Sequence, residues 1–243
     1  MTSALLAAVA VAVAVAIQLA SGSGFGLLAA PLLLLVEPDA VPVPLLLVTV
    51  PVMLVAAWQD RSGLAGGFEL GRVVATAVPA AVLTAAVAPQ VLAPATVLAL
   101  GVLEVVVAGA ALTGWRCADV PVVAPAAGLA SGALAALVAT PGLPVLVVYR
   151  NPAPAAYRAN LAVYYLVITV ASISFIQGLR GIGPDALAAT ARLLPGVVAG
   201  WPLGAWLAGL VPGRQLRPAG LTLAALAGVA LILKAAASCD RGR

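Results

Sequence analysis

The chain has 243 residues, 64% hydrophobic and only 8% charged, with a formal net charge of +4 and no histidine. A soluble domain carries about a quarter charged residues, so this inventory cannot clothe a water-exposed surface, and the mean hydropathy of +1.18 fits an integral membrane protein. Without histidine there is no Cys–His dyad and no Ser–His–Asp triad, and the two cysteines, Cys117 and Cys239, have no metal-ligand spacing; scattered arginines also argue against nucleic-acid binding.

An apolar run of about 18 residues is needed to span the hydrocarbon core as a helix. Ala4–Ala20 is the first candidate. Met1-Thr2-Ser3 lacks a positive n-region, so this run reads as a transmembrane helix and not as a leader. Ser21-Gly22-Ser23-Gly24-Phe25-Gly26 follows, then Leu27–Pro31. Each glycine costs roughly 1 kcal/mol against alanine in a helix, so a backbone break is expected here. Broken backbone at membrane depth is tolerated only where protein or a wet cavity surrounds it. Leu32–Val36 is too short to span alone, and Glu37-Pro38-Asp39 marks a turn.

The second span is expected at about Val41–Trp58, followed by a loop over Asp60–Arg72. Val73–Val87 and Ala93–Leu112 make the third and fourth, and Val120–Val138 the fifth. A second break follows at Thr140-Pro141-Gly142-Leu143-Pro144, then the short piece Val145–Tyr149 and the turn Arg150-Asn151-Pro152. Ala156–Gln177, Ala186–Leu210 and Leu216–Ala237 are the last three of eight expected spans, seven if a broken segment fails to cross. No long polar segment interrupts them, so residues 1–243 read as one all-α polytopic domain. Ala30-Pro31-Leu32-Leu33-Leu34-Leu35-Val36 is echoed by Leu143-Pro144-Val145-Leu146-Val147-Val148-Tyr149, which divides the chain into repeat halves of about 1–115 and 116–243. Paired interruptions in two halves point to a transporter's central site. Arginine placement leans towards cytoplasmic termini.

Three helices carry candidate residues. In the sixth span, Arg158, Ala162, Tyr165, Thr169 and Ser172 recur at steps of four, three, four and three, and so share one face. A guanidinium with hydroxyls behind it suits an anion, and Asn160 with Tyr164 forms a neighbouring pair. The alternative is that Arg158 snorkels and the hydroxyls bond their own backbone. Glu104 is the only acid deep inside a span, on a face with Gly101, Ala108 and Ala111. It reads either as a carrier of a coupling proton or as a structural carboxyl. Gly196, Gly200, Gly204 and Ala208 form a ladder in the seventh span that reads as helix packing.

The chain resembles the sulfite exporter TauE/SafE family of membrane permeases over nearly its whole length. The resemblance rests on Gly22–Pro31, on its counterpart Thr140–Pro144, on Tyr157-Arg158-Ala159-Asn160-Leu161-Ala162, and on a last span after the short basic loop Arg214 to Arg217. Ser23 and Phe25 interrupt the glycines of the first motif, and the second lacks a Gly-Gly-Pro core. The resemblance implies a permease for sulfite, organosulfonates or related small organic anions in the cell membrane. Ser21, Gly22, Ser23, Gly24, Gly26, Thr140, Gly142, Arg158, Asn160 and Tyr165 are then the expected substrate-binding residues, and Glu104 the expected proton site. No catalytic residue, metal or cofactor is expected. The partners are the anionic solute and the lipid bilayer, with homo-oligomerisation left open and no nucleic acid. A non-transporting membrane scaffold or partner subunit is the alternative.

Overall fold

Lipid offers the backbone no hydrogen-bond partners, so apolar segments of this composition must satisfy their own amides as helices. The computed structural model describes residues 2–22, 24–64, 70–87, 94–115, 122–149, 153–211 and 213–240, though not the side chains at 213, 214, 217 and 238–240. These residues form α1 (Thr2–Ser21), α2 (Phe25–Val36), α3 (Val43–Gln59), α4 (Gly71–Val87), α5 (Pro94–Leu112), α6 (Val123–Val138), α7 (Gly142–Leu146), α8 (Pro154–Arg180), α9 (Pro184–Leu210) and α10 (Gly213–Asp240). Short 3₁₀ turns lie at Pro38–Ala40 and Arg61–Leu64, and the described residues contain no strand.

Each of the eight expected spans coincides with one helix. Five are long and apolar enough to cross a membrane by length and composition: α1, α5, α8, α9 and the Pro218–Ala237 part of α10. The remaining three, α3, α4 and α6, are apolar and slightly shorter. The two short pieces became α2 and α7. Large side chains such as Leu83, Val106, Val198 and Leu226 are more than half exposed, as a lipid-facing surface requires.

Four helix pairs build the body: α1 on α9, α4 on α6, α5 on α10, and α3 on α8. Glycines set the close approaches. A methyl group on Gly196 or Gly200 of α9 would meet the Ala8 or Ala12 carbonyl of α1, and one on Gly204 would meet Ala16 and Leu19. The fourth rung of that ladder, Ala208, is exposed. Between α4 and α6 the close positions are Gly128, against Thr76 and the Val73 carbonyl, and Gly132, against the Ala77 carbonyl. Gly101 of α5 and Gly228 of α10 lie against each other's carbonyls.

Numbering five helices from each end of a half shows a regularity. Exchanging α1–α5 with α6–α10 in order turns the α1–α9 pair into the α6–α4 pair and maps α3–α8 and α5–α10 onto themselves. The glycines come from α9 in one exchanged pair and from α6 in the other, so the geometry recurs without the residues that supply it.

Candidate functional site

Both breaks are narrower than the glycine and proline content predicts. Ser21 belongs to α1, and its hydroxyl donates to the Ile17 carbonyl at 2.7 Å. The chain turns at Gly22, with φ of 79°, and Gly24, with φ of 127°, and α2 resumes at Phe25. Gly26 is therefore helical, contrary to the expected break through it. Pro31 also sits inside α2. In the second half α6 ends at Val138, Ala139 takes the left-handed conformation at φ 58°, and the Thr140 N–H reaches back to the Leu134 carbonyl. The Ala139 N–H also bonds the Ala135 carbonyl at 3.0 Å, the single bond of a left-handed helix end, with alanine in place of the usual glycine. Then α7 starts at Gly142 and contains Pro144. Pro31 is thus seven residues into its helix and Pro144 three into its own, so the two prolines of the sequence echo do not hold equivalent places.

Helix resumes early in α2 because its first amide is capped from outside. The Phe25 N–H donates to Gln18 Oε1 at 3.0 Å, across the turn. Gln18 is the only polar residue among the seventeen of Ala4–Ala20, and it is 1% exposed. At the far end of α2, Lys234 Nζ donates to the carbonyls of Leu34 and Leu35 at 2.8 and 3.1 Å. A cation there complements the partial negative charge of a helix C-terminus.

The two breaks meet. A methyl group on Gly26 would lie 3.2 Å from the Ala139 carbonyl and 3.6 Å from Thr140 Cα. One on Gly142 would lie 2.7 Å from the Tyr165 hydroxyl. Between them is a cavity of about 20 Å³, lined by the first turn of α2 (Gly24 to Leu27), by Ala139, Pro141 and Gly142, and by Thr49, Met53 and Tyr165. Such a volume holds about one water. Beside it, Ser131 Oγ donates to the Pro141 carbonyl and pairs with the Tyr164 hydroxyl. A hydroxyl has one proton to give, so Tyr164 is the donor to Ser131.

Arg158 also reaches the first break. Its aliphatic stem lies where a Gly22 side chain would be. Its guanidinium grips Asp60, the residue that ends α3, with Nε to Oδ2 at 2.8 Å and Nη2 to Oδ1 at 2.5 Å. The pair is partly exposed, Arg158 by 33% and Asp60 by 17%. The guanidinium is thus held by the carboxylate at the end of α3. From Arg158 the face predicted on α8 runs inward: Ala162, Tyr165, Thr169 and Ser172 are all buried. Ser172 bonds back to the Ile168 carbonyl at 2.8 Å, whereas Thr169 Oγ1 has no hydrogen-bond partner among the described residues. Beyond lie Ile176 and Arg180, which line a second cavity of about 240 Å³ with Asp39, Pro42 and Ala186 among others. One face of α8 thus runs from the Arg158–Asp60 pair past a small central cavity to a wider one.

The expected residues divide accordingly. Gly24, Gly26, Gly142 and Tyr165 line the central cavity, Thr140 lies between the lining residues Ala139 and Pro141, and Gly22 lies against the Arg158 stem. Asn160 is buried on α8 but outside that lining, with Nδ2 donating to the Ala156 carbonyl at 3.0 Å. Ser23 lies outside the described residues, as do Cys117 and the side chain of Cys239. Glu104 is 1% exposed between α5 and α10, away from the cavity, and neither carboxyl oxygen has a hydrogen-bond partner among the described residues. Sequence reasoning missed Gln18 and Asp60. A lone amide in an apolar run was the available signal for the first. Asp60 looks like any loop acid until folding places it against Arg158.

No curated protein and no solved structure matches the chain significantly. The family model described as sulfite exporter TauE/SafE matches residues 6–231. With nearly the whole chain covered, and with helices of this length and apolarity, the protein is a multi-pass membrane permease belonging to the TauE/SafE sulfite exporter family.

Proposed function

We propose that the protein is a gradient-driven secondary transporter of a small oxyanion such as sulfite or an organosulfonate. The observation that carries this reading is the meeting of two helix breaks around a buried cavity. The first turn of a helix leaves N–H groups without intrahelical acceptors, and its partial positive charge attracts anions. Both α2 and α7 begin at this cavity. Arg158, bound to Asp60 over Gly22, gates the approach from one end. In the same proposal the chain consists of two repeat halves, about 1–115 and 116–243, which the exchange symmetry of the helix pairs supports. Glu104 would carry the coupling proton, since a buried carboxyl without partners has two protonation states of very different cost in lipid.

The scaffold alternative gains no support, because the α9 ladder that would serve a partner is occupied by α1. Uptake and efflux of labelled sulfite, methanesulfonate and carboxylates in proteoliposomes test the transport reading. Absence of movement for the whole panel, with monodisperse protein, would sink it.

A further inference from the structure

We infer that Gln18, together with Thr140, supplies the side-chain donors that hold the transported anion, an assignment that rests on the permease reading above. A hydrophobic residue at position 18 would cost nothing in a buried helix, whereas an amide there must be satisfied. Only half of it is. Oε1 accepts the Phe25 N–H, while Nε2 has no hydrogen-bond partner among the described residues at 1% exposure. Thr140 repeats the pattern, with 1% exposure and no partner for Oγ1.

An unmade bond at a buried polar group is expensive and therefore uncommon in folded proteins. Two of them flank the same helix turn. Gln18 is tied to Phe25, and Thr140 packs on Gly26. Phe25 and Gly26 are in the first turn of α2 and line the central cavity. The bond to Phe25 uses the acceptor of the amide and leaves its donors over. Threonine adds another donor, and the open helix N-terminus adds backbone N–H groups. Among the described residues, no acidic side chain lines the cavity. The Gln18 NH₂ and the helix N–H groups can only donate, and the Thr140 hydroxyl can donate as well, so the set favours a ligand that accepts, such as the oxyanion end of a solute.

Gln18→Glu separates this role from a structural one. The carboxylate keeps an oxygen for the Phe25 N–H and suits a helix N-terminus, but replaces the NH₂ donors with a negative oxygen. Sulfite uptake by the full-length protein in proteoliposomes should fall by about tenfold to a hundredfold, the loss expected for a hydrogen bond to a charged group. Thr140→Val should lower it by about tenfold on the same basis. Sulfite should raise the melting temperature of detergent-solubilised wild type and of neither variant. A Gln18→Glu protein that transports sulfite like wild type overturns the assignment and leaves the permease reading standing. Wild type that neither moves nor binds any anion of the panel overturns both. Should Gln18→Glu not fold, Thr140→Val decides, and wild-type transport by that variant counts against the donor pair.

Discussion

At the scale of single residues, Gly22 and Arg158 depend on each other. The arginine stem crosses the glycine because no Cβ is there, and the backbone at φ 79° tolerates none cheaply. Gly22→Val should therefore combine left-handed strain of roughly 1–2 kcal/mol with overpacking of about 1–3 kcal/mol. A lowered melting temperature of the purified protein checks this, with Gly71→Val as the control at a glycine that has open space around it. Arg158 and Asp60 form a two-pronged pair that lysine cannot reproduce. Arg158→Ala should abolish transport, and Arg158→Lys should retain only part of it. Initial-rate measurements that find Arg158→Ala unchanged would remove this side chain from the mechanism.

At the scale of elements, the fold depends on where helices can approach closely. Gly200 puts α9 against Val15 and the Ala12 carbonyl of α1, so Gly200→Leu should cost about 1–3 kcal/mol by overpacking. Ala208→Leu, two rungs further along the same ladder, is exposed and should leave stability unchanged within about 0.5 kcal/mol. Thermal unfolding in detergent compares the two. Equal effects would mean that α9 does not pack on α1 as described. The half-helices have a different logic. The ends of α2 are held by side chains from other elements, Gln18 at its start and Lys234 at its end. Short helices in a membrane protein lack the length to be fixed by packing alone.

For the whole molecule, the two cavities differ in a way that bears on mechanism. The central space of about 20 Å³ takes one water and no oxyanion, whereas the outer cavity of about 240 Å³ is wide enough for one. The Arg158–Asp60 pair lies toward the opposite end of the same α8 face. Under the proposed function, passage of an oxyanion requires the breaks to separate. With Cys117 and Cys239 replaced by serine, a cysteine at Ile182 in the wide cavity should react readily with a membrane-impermeant thiol reagent. One at Met53 in the central cavity should react more slowly by about tenfold or more, as local opening controls access to buried sites. Equal labelling would show that the centre is open in the resting protein.

Sequence alone was sufficient for the membrane class, for eight of the apolar helices, five of them long enough to span, and for the position of both breaks. The reason is that lipid as solvent converts apolar run length directly into helices and leaves glycine clusters few other uses. It could also place Arg158, Tyr165, Thr169 and Ser172 on one face, because helical period is local. The extent of the breaks was not local. Gly26 and Pro144 are helical because a cap and neighbouring helices supply what their own propensities lack. Partners distant in the chain were equally hidden: Asp60 for Arg158, Thr140 against Gly26, and α1 beneath the α9 ladder. Composition decided that this chain folds in a membrane as helices. Only the tertiary structure decided that its two interruptions face each other, since that contact joins residues more than a hundred positions apart and depends on packing throughout the molecule.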